Sequence, residues 1–121
     1  MKTHKAILID SLNRTVNMCD IGDFRHIQSV IGCDCFGVAT QLADNDVIYV
    51  DDEGLLNVNA FTPFFTFEGA HQPFAGNGLI CGGDDEGETR DVKITVEEVK
   101  RKVKFHTLAQ VRAQCSQEDF A

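Results

Sequence analysis

The residues best suited to holding a polar ligand are His71, Gln72 and Asn77, which flank the glycine-rich run Ala75-Gly76-Asn77-Gly78, with Arg90 the nearest cation in the chain. Glycine leaves backbone N–H and C=O groups open to a ligand, amide side chains both donate and accept, and a guanidinium pairs with phosphate oxygens. These four are the candidate ligand-binding residues. The run lacks the Gly-Lys-Ser/Thr of a phosphate loop and opens no helix, so it is not a nucleotide fingerprint. A second constellation is made of carboxylates. The turn Asp-Asp-Glu-Gly occurs at 51–54 and again at 84–87, and a fold that brought Asp52, Asp85, Glu86 and Glu88 together would suit a small nucleotide or peptide hydrolase.

Other chemistries are poorly provided for. Zinc ligands come in paired spacings with short chelate loops, whereas Cys33-Asp34-Cys35 is the only close cysteine pair. Asp44 and Asp46 are followed by Ile48 where a calcium loop needs a third oxygen. Ser11, Ser29 and Ser116 stand in no Gly-x-Ser-x-Gly elbow. Cys81, near His71, continues the apolar run Leu79-Ile80 and reads as a core thiol. No catalytic residue, metal site or cofactor is expected.

The elements that must position these residues are short. Ala6-Ile7-Leu8-Ile9 and Thr15-Val16-Asn17-Met18 suggest an opening hairpin. Asp23 can cap a helix over 24–31 whose Phe24, Ile27, Val30 and Ile31 share a face and which Gly32 ends. Residues 36–42 and 47–50 read as strands joined by Ala43-Asp44-Asn45-Asp46, and the turn at 51–54 predicts a further hairpin onto 55–58. Phe61, Phe64, Phe65, Phe67 and Phe74 crowd a stretch punctuated by Pro63 and Pro73, which fits an irregular or edge strand buried in the core, or else an interface between subunits. Thr95-Val96-Glu97-Glu98 is a capping box, opening a helix with Val96, Val99 and Val103 as its apolar stripe and cations toward its end. Thr107 to Gln110 caps a second helix through Cys115. The fold class is therefore α+β: a small, mostly antiparallel sheet of hairpins, with one short helix after the first hairpin and one or two C-terminal helices. Residues 1–115 form a single domain and 116–121 a frayed tail.

The 121 residues suit one domain that needs no staples. Five scattered cysteines, an odd number, argue for reduced thiols rather than a disulfide framework. No apolar run is long enough to span a bilayer, and no leader is evident, so the expected location is the cytoplasm. The net charge of −8 is uneven: residues 1–92 carry fifteen acids against five bases, and 93–112 two acids against six. So negative a body disfavours direct nucleic-acid binding, and a basic segment is unneeded in a DNA mimic, although an acidic anti-restriction mimic remains an alternative.

The stretch Gln72-Pro73-Phe74-Ala75-Gly76-Asn77-Gly78-Leu79-Ile80, continuing to Asp84-Asp85-Glu86-Gly87-Glu88 and a closing helix, resembles an uncharacterised family of short phage and plasmid proteins, a "domain of unknown function". The likeness also takes in Asp52-Glu53-Gly54-Leu55 and Asn59-Ala60. It implies an accessory protein of a mobile element in a bacterial cytoplasm, and brings no catalytic residues with it. The expected function is thus non-enzymatic: countering host defence by binding a host protein or by sequestering a nucleotide-like small ligand at His71, Gln72, Asn77 and Arg90. Assembly into a homo-oligomer through the Phe-rich segment is expected to accompany it.

Overall fold

The computed structural model describes residues 3–22, 24–32, 36–52, 58–70, 72–86 and 88–119. It begins with the expected hairpin, β1 (His4–Asp10) against β2 (Thr15–Ile21), antiparallel from His4↔Ile21 to Asp10↔Thr15. The Asp10 carboxylate closes the turn by accepting from the Asn13 backbone at 3.1 Å and its amide at 2.8 Å. Helix α1 (Phe24–Ile31) follows and ends at Gly32, whose φ of +83° carries the chain away while its N–H still reaches Gln28 O. Asp23, the expected cap, lies outside the described residues.

Strands β3 (Phe36–Gln41) and β4 (Val47–Asp51) form the next hairpin. A short 3-10 turn at Ala43–Asn45 joins them, with Asp44 and Asn45 both at positive φ, the region these residue types tolerate best after glycine. The continuation expected over 53–57 lies outside the described residues. β7 (Gly78–Gly83) then inserts between the two hairpins, antiparallel to β1 and to β4, giving the order β2-β1-β7-β4-β3; β8 (Thr89–Arg90) pairs with the far end of β7.

A second sheet, β6-β5-β9, is built from β5 (Phe64–Phe67), β6 (Phe74–Ala75) and β9 (Val103–His106). Two sequence expectations change here. Phe64, Phe65 and Phe67 lie on the central strand of this sheet rather than an edge, and Phe74 on its outer strand β6; Pro63 and Pro73 stand just outside β5 and β6, where no ladder N–H is required. Val103 does not extend the helical stripe. α2 (Val96–Lys102) stops before it, and Val103 turns extended, at φ −93° and ψ 139°, to pair with Phe67. Val-Lys-Phe-His also alternates with period two, and the pairing against β5 decides between the two periods.

Alternation along the strands generates the layers. Ala6, Leu79 and Cys81 face α1, packing with Ile21, Ile27 and Ile31. Ile7, Ile9, Ile48 and Ile80 project from the opposite face onto Phe65, Phe67, Phe74 and Val103 of the second sheet, with Val99 of α2 closing the cluster. α3 (Leu108–Asp119), capped by reciprocal bonds between Thr107 and Gln110, covers the outer side of the second sheet where Phe64 and Ala75 meet Val111. Phe64, Phe65, Phe67 and Phe74 are therefore core, each contributing roughly 1.5–3 kcal/mol by burial. Phe61 is 91% exposed and belongs to none of it. The result is an α+β stack of two antiparallel sheets between helices. Among the described residues, no helix is long and apolar enough to cross a membrane.

Candidate functional site

Among the described residues, Asn77 and Arg90 do not meet. Asn77 holds the first turn in place: its Oδ1 accepts the Ser11 N–H at 3.1 Å, and the hydroxyl of Ser11, 2% exposed, donates to Gly76 O. Arg90 sits beside Gly82, at the other end of β7, roughly 15 Å along the strand at ~3.3 Å per residue. Its guanidinium is already engaged, 2.9 Å from Asp84 and 4.0 Å from Glu88, and it donates to Thr89 O. The Asp84 carboxyl is held below its ordinary pKa first by the Glu88 N–H, then by Glu86 N–H, Arg90 and Lys93, which outweigh its partial desolvation. His71 lies outside the described residues.

The carboxylates are divided in the same way. Asp52 follows β4 at the end that pairs with Gly78, while Asp85 and Glu86 belong to the turn beyond Gly83, where Asp85 accepts from the Asn45 amide at 3.0 Å. Asp52 and Asp85 therefore lie at opposite ends of β7. Cys81 is a core thiol: burial, then the neighbouring Cys19 and Asp46, push its pKa up to about 12, far from the thiolate a nucleophile requires.

Gln72 is placed differently. It is exposed in the connection leading into β6 and lines two adjoining hollows, of about 180 and 220 Å³, which share Ala39, Gln72 and Phe74. Together they form a groove where the outer strand of one sheet, β3, approaches the outer strand of the other, β6. Val50, Phe74 and Ala75 give it an apolar floor, Asp51 and Asp52 stand at one end, and Thr40 and Ala70 at the other. β3 carries a bulge at Ala39, where the register with β4 slips between Val38 and Thr40. Val38, 56% exposed, lies on the rim. Gly37 lies beside it, under the Asp52 carboxylate, which would have to swing aside for any Cβ there. Sequence spacing selected Gln72 and Asp52 for separate reasons and missed β3. An open edge is a property of strand order, and the one legible sign was that Phe-Gly-Val-Ala-Thr-Gln contains no charge.

The described residues form a small α+β stack of two antiparallel sheets with a groove between their outer strands. The chain belongs to the family described as Domain of unknown function (DUF3846), whose profile matches residues 1–104 and so spans every strand but the end of β9, together with α1 and α2. No curated protein and no solved structure matches it.

Proposed function

We propose that this chain is a non-enzymatic binding protein, an accessory factor of a phage or plasmid that counters host defence in the bacterial cytoplasm by engaging a host protein. In this reading it captures an extended segment of that protein in the β3/β6 groove, the segment adding as a further strand to β3, an outer strand among the described residues.

The observation that carries the reading is the character of β3. Edge strands are ordinarily defended by lysines, prolines or a covering loop, because their unpaired N–H and C=O groups accept any passing strand. β3 is six residues long without a charge or a proline, and an apolar groove runs beside it. Its bulge at Ala39 breaks the ladder at one point only. Main-chain bonds to such an edge supply affinity, and side chains entering the groove supply selectivity. Asp51 and Asp52 at one end, on an acidic body, favour a Lys or Arg in the guest segment.

The test is a random heptapeptide library displayed on yeast, sorted on the labelled protein. Enriched peptides are expected to alternate apolar residues and to carry at least one Lys or Arg. They are expected to lose binding to Val38→Lys, which defends the edge, and to Asp52→Lys, which reverses the charge at its end. Enrichment of peptides that bind both variants as well as the parent protein would refute the reading.

A further inference from the structure

We propose that the hollow between β2, α2 and β9, on the side of the stack away from the β3/β6 groove, is a binding site for a nucleotide-class ligand, meaning a phosphate monoester that carries an aromatic ring. β2 and β9 are the outer strands of their sheets on this side, and α2 lies across both. The hollow measures about 400 Å³, within the range of small-molecule sites, and is lined by Arg14, Thr15, Asn17, Lys100, Phe105 and neighbouring valines.

Two observations point to an anion and a third to an aromatic ring. The first is charge without a partner. Arg14 and Lys100, like Arg25, Lys93, Arg101, Lys104 and Arg112, have no ion-pair partner among the described residues, but these two line one hollow, in a chain whose net charge is −8. Two uncompensated cations on one hollow attract a phosphate that the rest of the surface repels.

The second is the backbone at Arg14. It closes the β1–β2 turn at φ +56°, a left-handed conformation that Asn or Gly adopts with less strain. The turn holds the Arg14 side chain at the mouth of the hollow despite that backbone cost. Its planar fork suits bidentate contact with phosphate oxygens, while Lys100 adds a point charge.

The third is Phe105, half-buried in the same wall. An aromatic face next to paired cations is the arrangement by which proteins hold a base and its phosphate together. The electrostatics agree. His106, bonded to Thr66 at 3.0 Å, has its pKa lowered first by burial and then by Lys104 and Arg14, so a further cation acts at this end of β9.

The site is independent of the peptide groove, and its test separates the two. The full-length ¹⁵N-labelled protein is titrated with AMP, adenosine and inorganic phosphate and followed by NMR. AMP is expected to shift amides of residues 14–17 and 100–105 and to bind at least about tenfold more tightly than adenosine or phosphate. Arg14→Asn, which suits the left-handed backbone, combined with Lys100→Gln is expected to weaken AMP at least about tenfold with the rest of the spectrum unchanged. Phe105→Leu is expected to weaken AMP but not phosphate, and Val38→Lys to leave AMP binding as it was. Four results overturn the proposal: no shift with AMP, shifts elsewhere on the surface, phosphate bound as tightly as AMP, or full affinity in the double variant.

Discussion

Replacing Asp46 by alanine attacks the joint that holds the approach to α2 against the first sheet. Asp46 is 1% exposed at the start of β4, and its carboxylate accepts the Lys93 N–H at 3.1 Å to each oxygen and the Ile94 N–H at 2.8 Å. Alanine leaves these two part-buried amides without an acceptor. Each orphaned donor costs about 1–3 kcal/mol, centred near about 2, so the expected loss for the two is about 3–5 kcal/mol. Set against a total stability of about 5–15 kcal/mol for a domain, this is a large fraction. With a urea m-value of about 2 kcal/mol/M, the unfolding midpoint falls by roughly 1.5–2.5 M. Asp46→Asn keeps one acceptor oxygen but turns an N–H₂ toward an N–H, so an intermediate loss is expected. The assay is urea unfolding followed by circular dichroism, with hydrogen exchange at the Lys93 and Ile94 amides as the local readout. A change in stability under about 0.5 kcal/mol for Asp46→Ala, with both amides still protected, would refute the reasoning.

Gly82→Ala is expected to lower stability by at least about 1–3 kcal/mol, because an added Cβ would meet the Asp91 carbonyl, which is backbone and cannot swing aside; thermal unfolding measures it. Cys81 is expected to resist alkylation at pH 8 in the native protein and to react once urea is added, as peptide mass spectrometry would detect, because the folded thiol ionises only near pH 12. Since its folded pKa is raised above an ordinary value of 9.0, its contribution to stability is complete below pH 9 and is lost as pH climbs from there toward about 12. Unfolding curves across that window for the parent and Cys81→Ala should converge. His106 has the opposite sign: a lowered pKa means that its neutral form is the folded one, so its contribution is present above pH 6.5 and fades as pH falls below that value. NMR titration of the imidazole, with His106→Gln as the control in unfolding, checks it. Thr95→Ala removes the oxygen that accepts the Glu98 N–H at the head of α2 and is expected to cost about 1 kcal/mol in denaturant.

Local signals in the sequence were read correctly where one short-range rule acted alone. The Asp10–Arg14 turn, the helix ended by Gly32 and the Thr95 cap each depend on residues within one turn of one another. The partition into two sheets was not legible, since it depends on β5 choosing β9, some forty residues away at Phe64↔His106. The same choice drew Val103 out of the helix that its spacing favoured. For the candidate sites the division is similar. Gln72 and Asp52 could be picked out for their chemistry, whereas Asn77 and Arg90 were selected for nearness along the chain and stand at opposite ends of β7. Arg14 and Lys100 are 86 positions apart, and their meeting across one hollow follows only from the packing of α2 onto β2.

The position of β7 in the strand order has a consequence for how the chain acquires its structure. Its partners β1 and β4 belong to two hairpins that can close locally as soon as each is synthesised, yet both lack their inner neighbour until residues 78–83 arrive. Ile7, Ile9 and Ile48, later the floor of the core, are uncovered during that interval. The rate-limiting event in folding is therefore expected to be the capture of one glycine-bordered strand by two waiting edges, a step of high sequence separation and correspondingly slow. Substitutions that weaken β7, or β2 and β3 in the hairpins already paired by then, should slow folding more than they hasten unfolding. Until β7 docks, the nascent chain presents two unpaired inner edges, which makes this the stage at which it is most open to self-association or to a chaperone.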